Sequence, residues 1–579
     1  MKIRSFASAV RNRSTGRNRL PSLASTGHGT GLTGHVLEVQ SFFGPKEGTF
    51  MRATRQFKAA TAVLVLLFLL RAPSLSAVPP DQLGKVNFPT TCSGDVQPTL
   101  EKGLALLHSF QYTESEQTFT EAATREPKCA MAHWGKAMAR YRQLWDFPGD
   151  NTLKESRKDV EKAQKVRSGD PRDKSFIAAA AAFFQKSKMS HVDRIKAYST
   201  AMGRFYMDNL GDSEIGSFYA LSLISLAEED VDSIGNRERA IAILNPLLEK
   251  YPDHPGVAHY LIHAADRPEL ASQGLEAARR YAAIAPDSSH ALHMPSHIFV
   301  RLGLWQDSIN SNIAANASGA HAAEMHLAEA HYQTHAMDFL SYSYLQSGQE
   351  AKAREVIEHT GHIVGATDQG MARDRDYLSA RTALELHRWK EAAELSLPAD
   401  RKDWDDTTIW ARAIGAARSG DVSAGESAVK ELTALVADRE ERSRKQGYKP
   451  SNEKPSDLAE AEAWLAFAKG KPDEALAELR AAADHQDKNG GESVGIPARE
   501  MLGDMLLELK RPADALAEYK ASLKLSPNRF DGLLGAARAA QASGDAAAAQ
   551  TFYAQLTSVC APAADRPELA EAKTYRAQK

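Results

Sequence analysis

The stretch from Arg499 to Pro527, REMLGDMLLELKRPADALAEYKASLKLSP, decides the fold. Its apolar residues recur at helical spacing on either side of Pro512, so it reads as two helices joined by a short turn. Leu502-Gly503, Leu506, Ala515, Tyr519 and Pro527 are the informative places. The small residues let two antiparallel helices approach closely. The large ones fill the groove between them.

This is the spacing of a tetratricopeptide repeat, and it recurs outward from that stretch. In GLLGAARAAQASGDAAAAQTFYAQL (532–556), Gly544, Ala549 and Tyr553 stand 34 residues after Lys510, Ala515 and Tyr519. Upstream, AEAWLAFAKGKPDEALAELRAAA (461–483) puts Gly470, Ala475 and Leu479 in the same places. Near the other end, LEKGLALLHSFQYTESEQTFTEAATREP (100–127) offers Gly103, Phe119 and Pro127 at matching separations. Between them lie degenerate units such as QGLEAARRYAAIAPDS (273–288) and LSYSYLQSGQEAKAREVIE (340–358). No sustained alternation of β-branched residues calls for strands. The expected fold is all-α, a tetratricopeptide-repeat superhelix (α-solenoid) of about ten helical hairpins with a concave inner face.

The spacing divides the chain into an N-terminal solenoid over 88–444, a hinge over 445–457 (KQGYKPSNEKPSD), C-terminal repeats over 458–562 and a tail over 563–579. Residues 51–77 read as a signal peptide. Arg52, Arg55 and Lys58 form its basic start, Ala59–Leu70 its apolar run, and Ser76-Ala77 its small-residue end. An uncleaved anchor is the alternative reading. Residues 1–50 read as a disordered extension or as a mis-assigned start, with Met51 as the working one. Lys+Arg 71 against Asp+Glu 74 leaves a net charge of −3, which gives no global attraction to nucleic acid or anionic lipid. Three cysteines make neither a disulfide-dense scaffold nor a thiolate cluster. Cys92 and Cys129 flank one expected hairpin whose ends share a pole, and export permits a disulfide between them.

Four phrases together resemble a broad family of exported bacterial tetratricopeptide-repeat proteins without established activity: CAMAHWGKAMARY (129–141), HPGVAHYLIHAAD (254–266), HALHMPSHIFVRLGLW (290–305) and PAREMLGDMLLEL (497–509). The resemblance spans Phe88 to Leu556. It implies the repeat fold and export, and no catalytic residue is carried over. QDKNGGESVGIPARE (486–500) is shorter than the loop the resemblance leads one to expect there.

Ten of the 19 histidines lie between His254 and His335. His259 and His263 are four apart, as are His293 and His297, and the two pairs are separated by 34 residues. Residues four apart share a helix face, and a solenoid turns its repeat length into spatial neighbourhood. Both pairs, with His290, are expected on the concave face, where neighbouring helices stand roughly 8–10 Å apart. Such a set could chelate Zn, Cu, Ni or Fe, but not Ca or Mg. Pro295 divides the readings. If a helix begins at Pro295, then His290 and His293 lie in its entry segment and the second pair loses helical geometry, although the rings can still converge. Satisfied or surface histidines are the bland alternative.

His335, Asp338, Tyr342, Glu500 and Asp504 fall at inward-facing places and would make the groove polar, suiting a peptide partner. Trp134, Trp145 and the DFP at 146–148 read as core caps. His259-Tyr-Leu-Ile-His263 lacks the glutamate a zincin uses as base, and no G-x-S-x-G, P-loop or G-x-G-x-x-G is present. No catalytic residue is assigned. The leading expectation is an exported scaffold binding a protein or peptide in its groove, without nucleic acid, and touching membrane only through an uncleaved signal segment. The alternative is a transition-metal-binding envelope protein, and after it a metal-dependent hydrolase.

Overall fold

A computed structural model describes residues 82–144, 147–166, 169–186, 188–324, 330–397, 406–445, 454–491 and 493–577. The expected extension over 1–50, the signal peptide over 51–77, Trp145, Asp146 and most of the expected hinge lie outside the described residues. Among the described residues every regular element is helical, and none of their helices is long and apolar enough to cross a membrane. Consecutive helices pair from Gln97–His108 with Tyr112–Arg125 to Phe530–Ser543 with Ala546–Val559. Pairing them in order gives twelve hairpins, two more than the sequence leads one to expect. The extra ones come from short or degenerate helices such as Trp389–Ala393.

Stacking depends on one recurring arrangement. Tyr519 lies between Gly503 of its own hairpin and Gly535 of the next. A Cβ added at Gly503 would meet the ring at 2.8 Å, and one at Gly535 at 2.3 Å. Phe119 repeats this between Gly103 and Gly135, where an added Cβ would stand 3.1 and 2.3 Å from its ring. A bare backbone on both sides lets a large ring fill the interhelical space, and interiors close-packed in this way leave no room for a methyl group. Gly470 and Gly544 end their helices at φ +73° and +84°, a conformation glycine adopts without strain.

A sulfur–sulfur bond joins Cys92 to Cys129, with Cα atoms 5.0 Å apart. It ties the segment before the first described helix to the N-cap of Ala130–Tyr141. One apolar cluster includes Leu432 and Val436 before the expected hinge and Leu458 and Trp464 after it. The expected tail over 563–579 contains a helix, Leu569–Ala577, whose Leu569 and Ala572 cover Tyr553 and Leu556 of the last hairpin.

The expected open groove is filled. Residues 489–491 and 493–497 run along the inner face and are held there by their backbone carbonyls. Arg301 donates to the carbonyls of Gly490 (2.8 Å) and Gly491 (3.4 Å), Arg381 to that of Val494 (3.3 Å), and Arg529 to that of Gly495 (3.1 Å). Arg267 binds the carbonyl of Asn489, and Val494 packs with Trp305, Phe339 and Tyr342.

Candidate metal centre

The helix Pro255–Ala265 carries His259 and His263. It starts where a β-region residue, His254, accepts a cap bond from Val257 N and Pro255 takes the first helical place. In the next repeat the helix is broken. Ser288 caps a short turn, Ser289–His293, and a second segment, Pro295–Arg301, starts at the proline. The break does not separate the second pair of histidines, because His297 N still bonds Met294 O (3.2 Å) and keeps the chain turning. The helix His331–Gln346 supplies His335 from beyond the next hairpin turn.

The rings assemble as two triads, His259 with His263 and His290, and His293 with His297 and His335. Within each, one ligand nitrogen per ring lies within 4.8 Å of the others. His263 and His297 link the triads, their ring centroids 6.4 Å apart. The five histidines expected together from the sequence, His259, His263, His290, His293 and His297, are divided between the two triads. His290 completes the first, and His335, expected in a partner groove, completes the second. The expected openness is also absent. His259 is fully buried, His263, His290, His293 and His297 are buried, and only His335 is half-buried. Aromatic rings close over the histidines, with Phe110 stacked on His263 and His290, Tyr281 stacked on His259, and Phe339 against the second triad.

Hydrogen bonding fixes the tautomers. His293 Nδ1 faces Asn312 Oδ1 at 2.7 Å, and Asn312 uses its amide nitrogen on Ser308 O, so the oxygen is the acceptor. His297 Nδ1 donates to Asp266 Oδ2 at 2.9 Å. His259 Nδ1 donates to the backbone oxygen of His108 at 2.6 Å. In the neutral form of each of these rings Nε2 is the lone-pair nitrogen, and a neighbour holding the other nitrogen is what orients an imidazole ligand. The Nε2 atoms of His293 and His297 then face each other at 3.1 Å, as do those of His259 and His290. His263 Nε2 is buried with no hydrogen-bond partner.

Burial lowers the basicity of these rings. His259 and His335 are pushed down to about 3, and His263, His290 and His293 lie well below the ordinary imidazole range. Desolvation of the charged ring is the main cause in each, with repulsion between neighbouring imidazoles adding to it. Burial pushes the Asp266 carboxyl upward, but Arg301 and His297 outweigh it and hold it well below its ordinary value. At neutral pH His259, His263, His290, His293 and His335 are neutral imidazoles, and the Asp266 carboxylate beside His297 is ionised.

A third group, His108, Glu214 and His254, has the same residue types but a different logic. His254 Nδ1 accepts from Val257 N, so its Nε2 donates to Glu214 at 2.9 Å. His108 Nε2 meets the other carboxylate oxygen at 2.7 Å, and its Nδ1 pairs with Tyr260 OH. Asn87 N also donates to Glu214. The carboxylate is satisfied by protons already present, and this group is internal packing.

The residues expected to line a partner groove point inward but are engaged. Asp338 pairs with Arg381. Glu500 and Glu385 grip the fully buried Arg529, which also donates to Tyr342 OH at 2.7 Å. Asp504 accepts from Tyr519 OH and lies 3.6 Å from His387. Burial pushes Glu500 up to about 7 against the pull of Arg529. Sequence reading missed Asp266, Asn312, Arg381 and Arg529. For Asp266 a signal existed, since it follows His263 by three residues at the helix end.

Residues 460–530 match a family model described as tetratricopeptide repeat, which covers the hairpins around Tyr519. These hairpins are tetratricopeptide repeats. No curated protein sequence matches the chain. Solved structures similar to it include the human IFIT1 dimer with m7Gppp-AAAA, at 14% identity over 78% of this chain and 94% of that one, with a TM-score of 0.32. Yeast Tom70 is another, at 12% identity over 84% and 96%, with a TM-score of 0.33.

Proposed function

We propose that the protein binds two transition-metal ions, one at His293, His297 and His335 and the other at His259, His263 and His290. The observation that carries this reading is the 3.1 Å approach of two Nε2 atoms whose rings both already donate through Nδ1. Two lone pairs facing each other away from water repel unless a cation or a proton lies between them. Ligand nitrogens about 2.0–2.1 Å from a tetrahedral zinc stand about 3.3 Å from one another, close to both observed contacts. Sets made of imidazoles suit zinc, copper, nickel or iron. The neutral state favoured by burial is also the ligating state.

Equilibrium dialysis of untagged protein against zinc tests the proposal. Two ions per chain are expected, with binding lost when His263→Ala and His297→Ala are combined. A wild-type chain that takes up no zinc refutes it, as does a double variant that takes up as much as the wild type.

A second reading, an exported scaffold for a peptide or protein partner, is favoured by the inner face itself, which holds a non-helical segment by its carbonyls. A synthetic peptide of residues 488–497 should bind a variant whose own segment is replaced by a Gly/Ser linker of equal length. If it does not, the face is internal packing. Export rests on residues 51–77. N-terminal sequencing of exported protein should begin at Val78, whereas a chain retaining Leu64–Leu70 would be anchored.

A further inference from the structure

Asp266 stands between the histidine centre and the segment that fills the groove. Its Oδ2 takes the Nδ1 proton of His297 at 2.9 Å. Its Oδ1 takes Arg301 Nε at 2.9 Å and the Ser493 hydroxyl at 3.3 Å. Arg301 spends its remaining nitrogens on the carbonyls of Gly490 and Gly491. A continuous run of hydrogen bonds therefore leads from a proposed ligand through one carboxylate and one guanidinium to the segment's backbone.

We infer that metal at His293, His297 and His335 locks residues 489–491 and 493–497 onto the inner face through Asp266 and Arg301, so that metal status controls whether the groove is closed. This rests on the metal-binding reading above. A cation on Nε2 draws electron density from the ring and strengthens the Nδ1 proton as a donor to Asp266. The carboxylate, held in place, keeps Arg301 aimed at the carbonyls. Without the cation the two facing lone pairs are relieved by a proton between them or by turning a ring, and we take the turning ring to be His297. His297 cannot turn without releasing Asp266, because both its nitrogens belong to one rigid ring. Releasing Asp266 frees the Ser493 hydroxyl and loosens the aim of Arg301. The segment then loses holds at both Gly490-Gly491 and Ser493, while Arg381 and Arg529 still grip Val494 and Gly495. Coupling of this kind requires one element with two arrangements that both sites bias, and the segment is that element.

Hydrogen exchange of the full chain, with and without zinc, tests the inference, with metal content measured on the same samples. In the wild type, peptides covering 489–497 should exchange about tenfold more slowly with zinc than after chelation. Arg301→Gln, loaded to the same zinc content, should lose that response. If zinc is taken up but exchange in 489–497 is unchanged, or slows equally in the variant, the coupling is wrong and the metal reading stands. If no zinc is taken up, the metal reading fails and the coupling with it.

Discussion

At the scale of single residues, the centre is defined by what occupies the second nitrogen of each ring. His293 leans on Asn312, His297 on Asp266 and His259 on the carbonyl of His108. Partners of this kind set ligand orientation, and losing one weakens metal affinity about 10–100-fold. Asp266→Asn should therefore lower zinc affinity by that factor, as measured by competition with a chromophoric chelator. The histidine pairs were legible in the sequence because their 34-residue separation equals the repeat length. The partners were not. Asn312 lies one helix away from the ring it holds and nothing in local spacing marks it as an acceptor, while Asp266 is marked only by following His263 by three residues.

At the scale of elements, hairpins stack because large rings fit between bare backbones. Tyr519 and Phe119 occupy equivalent places, and each is sandwiched between glycines of successive hairpins. Overpacking a filled interior costs roughly 1–3 kcal/mol. Gly535→Ala should destabilise the protein by about that amount in urea unfolding, since its Cβ would fall 2.3 Å from the Tyr519 ring. This arrangement was readable from Gly503, Ala515 and Tyr519 alone, because it depends on size at fixed spacing. The two short helices around Pro295 were only half readable. Pro295 announces a restart but does not tell where the rings before and after it will point. The resulting turn puts His293 beside His335 as well as His297, their centroids 4.3 and 5.0 Å apart.

At the scale of the described residues as a whole, the array is filled along its inner face, and its histidines are buried rather than displayed. Sequence periodicity could assign inward-facing places to Asp338, Tyr342 and Glu500. It could not show that residues 489–491 and 493–497, which have no periodicity of their own, would lie against them. Burial has a consequence for acid stability. The unfolded chain protonates its histidines near 6.5, while His259 and His335 in the fold resist protonation down to about 3. Between these values the unfolded state binds more protons, so stability is lost as pH falls through that window. Urea midpoints of the metal-free protein should drop from pH 7.5 to pH 5, and His335→Gln should flatten the slope. An unchanged midpoint would mean that these rings are not buried neutral.

The central claim, that six histidines from three successive repeats hold transition-metal ions, is met most directly by anomalous X-ray diffraction at the zinc edge on crystals of untagged protein. The account predicts one peak among His293, His297 and His335 and a second among His259, His263 and His290, with none at His108, Glu214 and His254. Zinc-soaked crystals with no anomalous peak at either triad, or with a peak only at the Glu214 group, would contradict it.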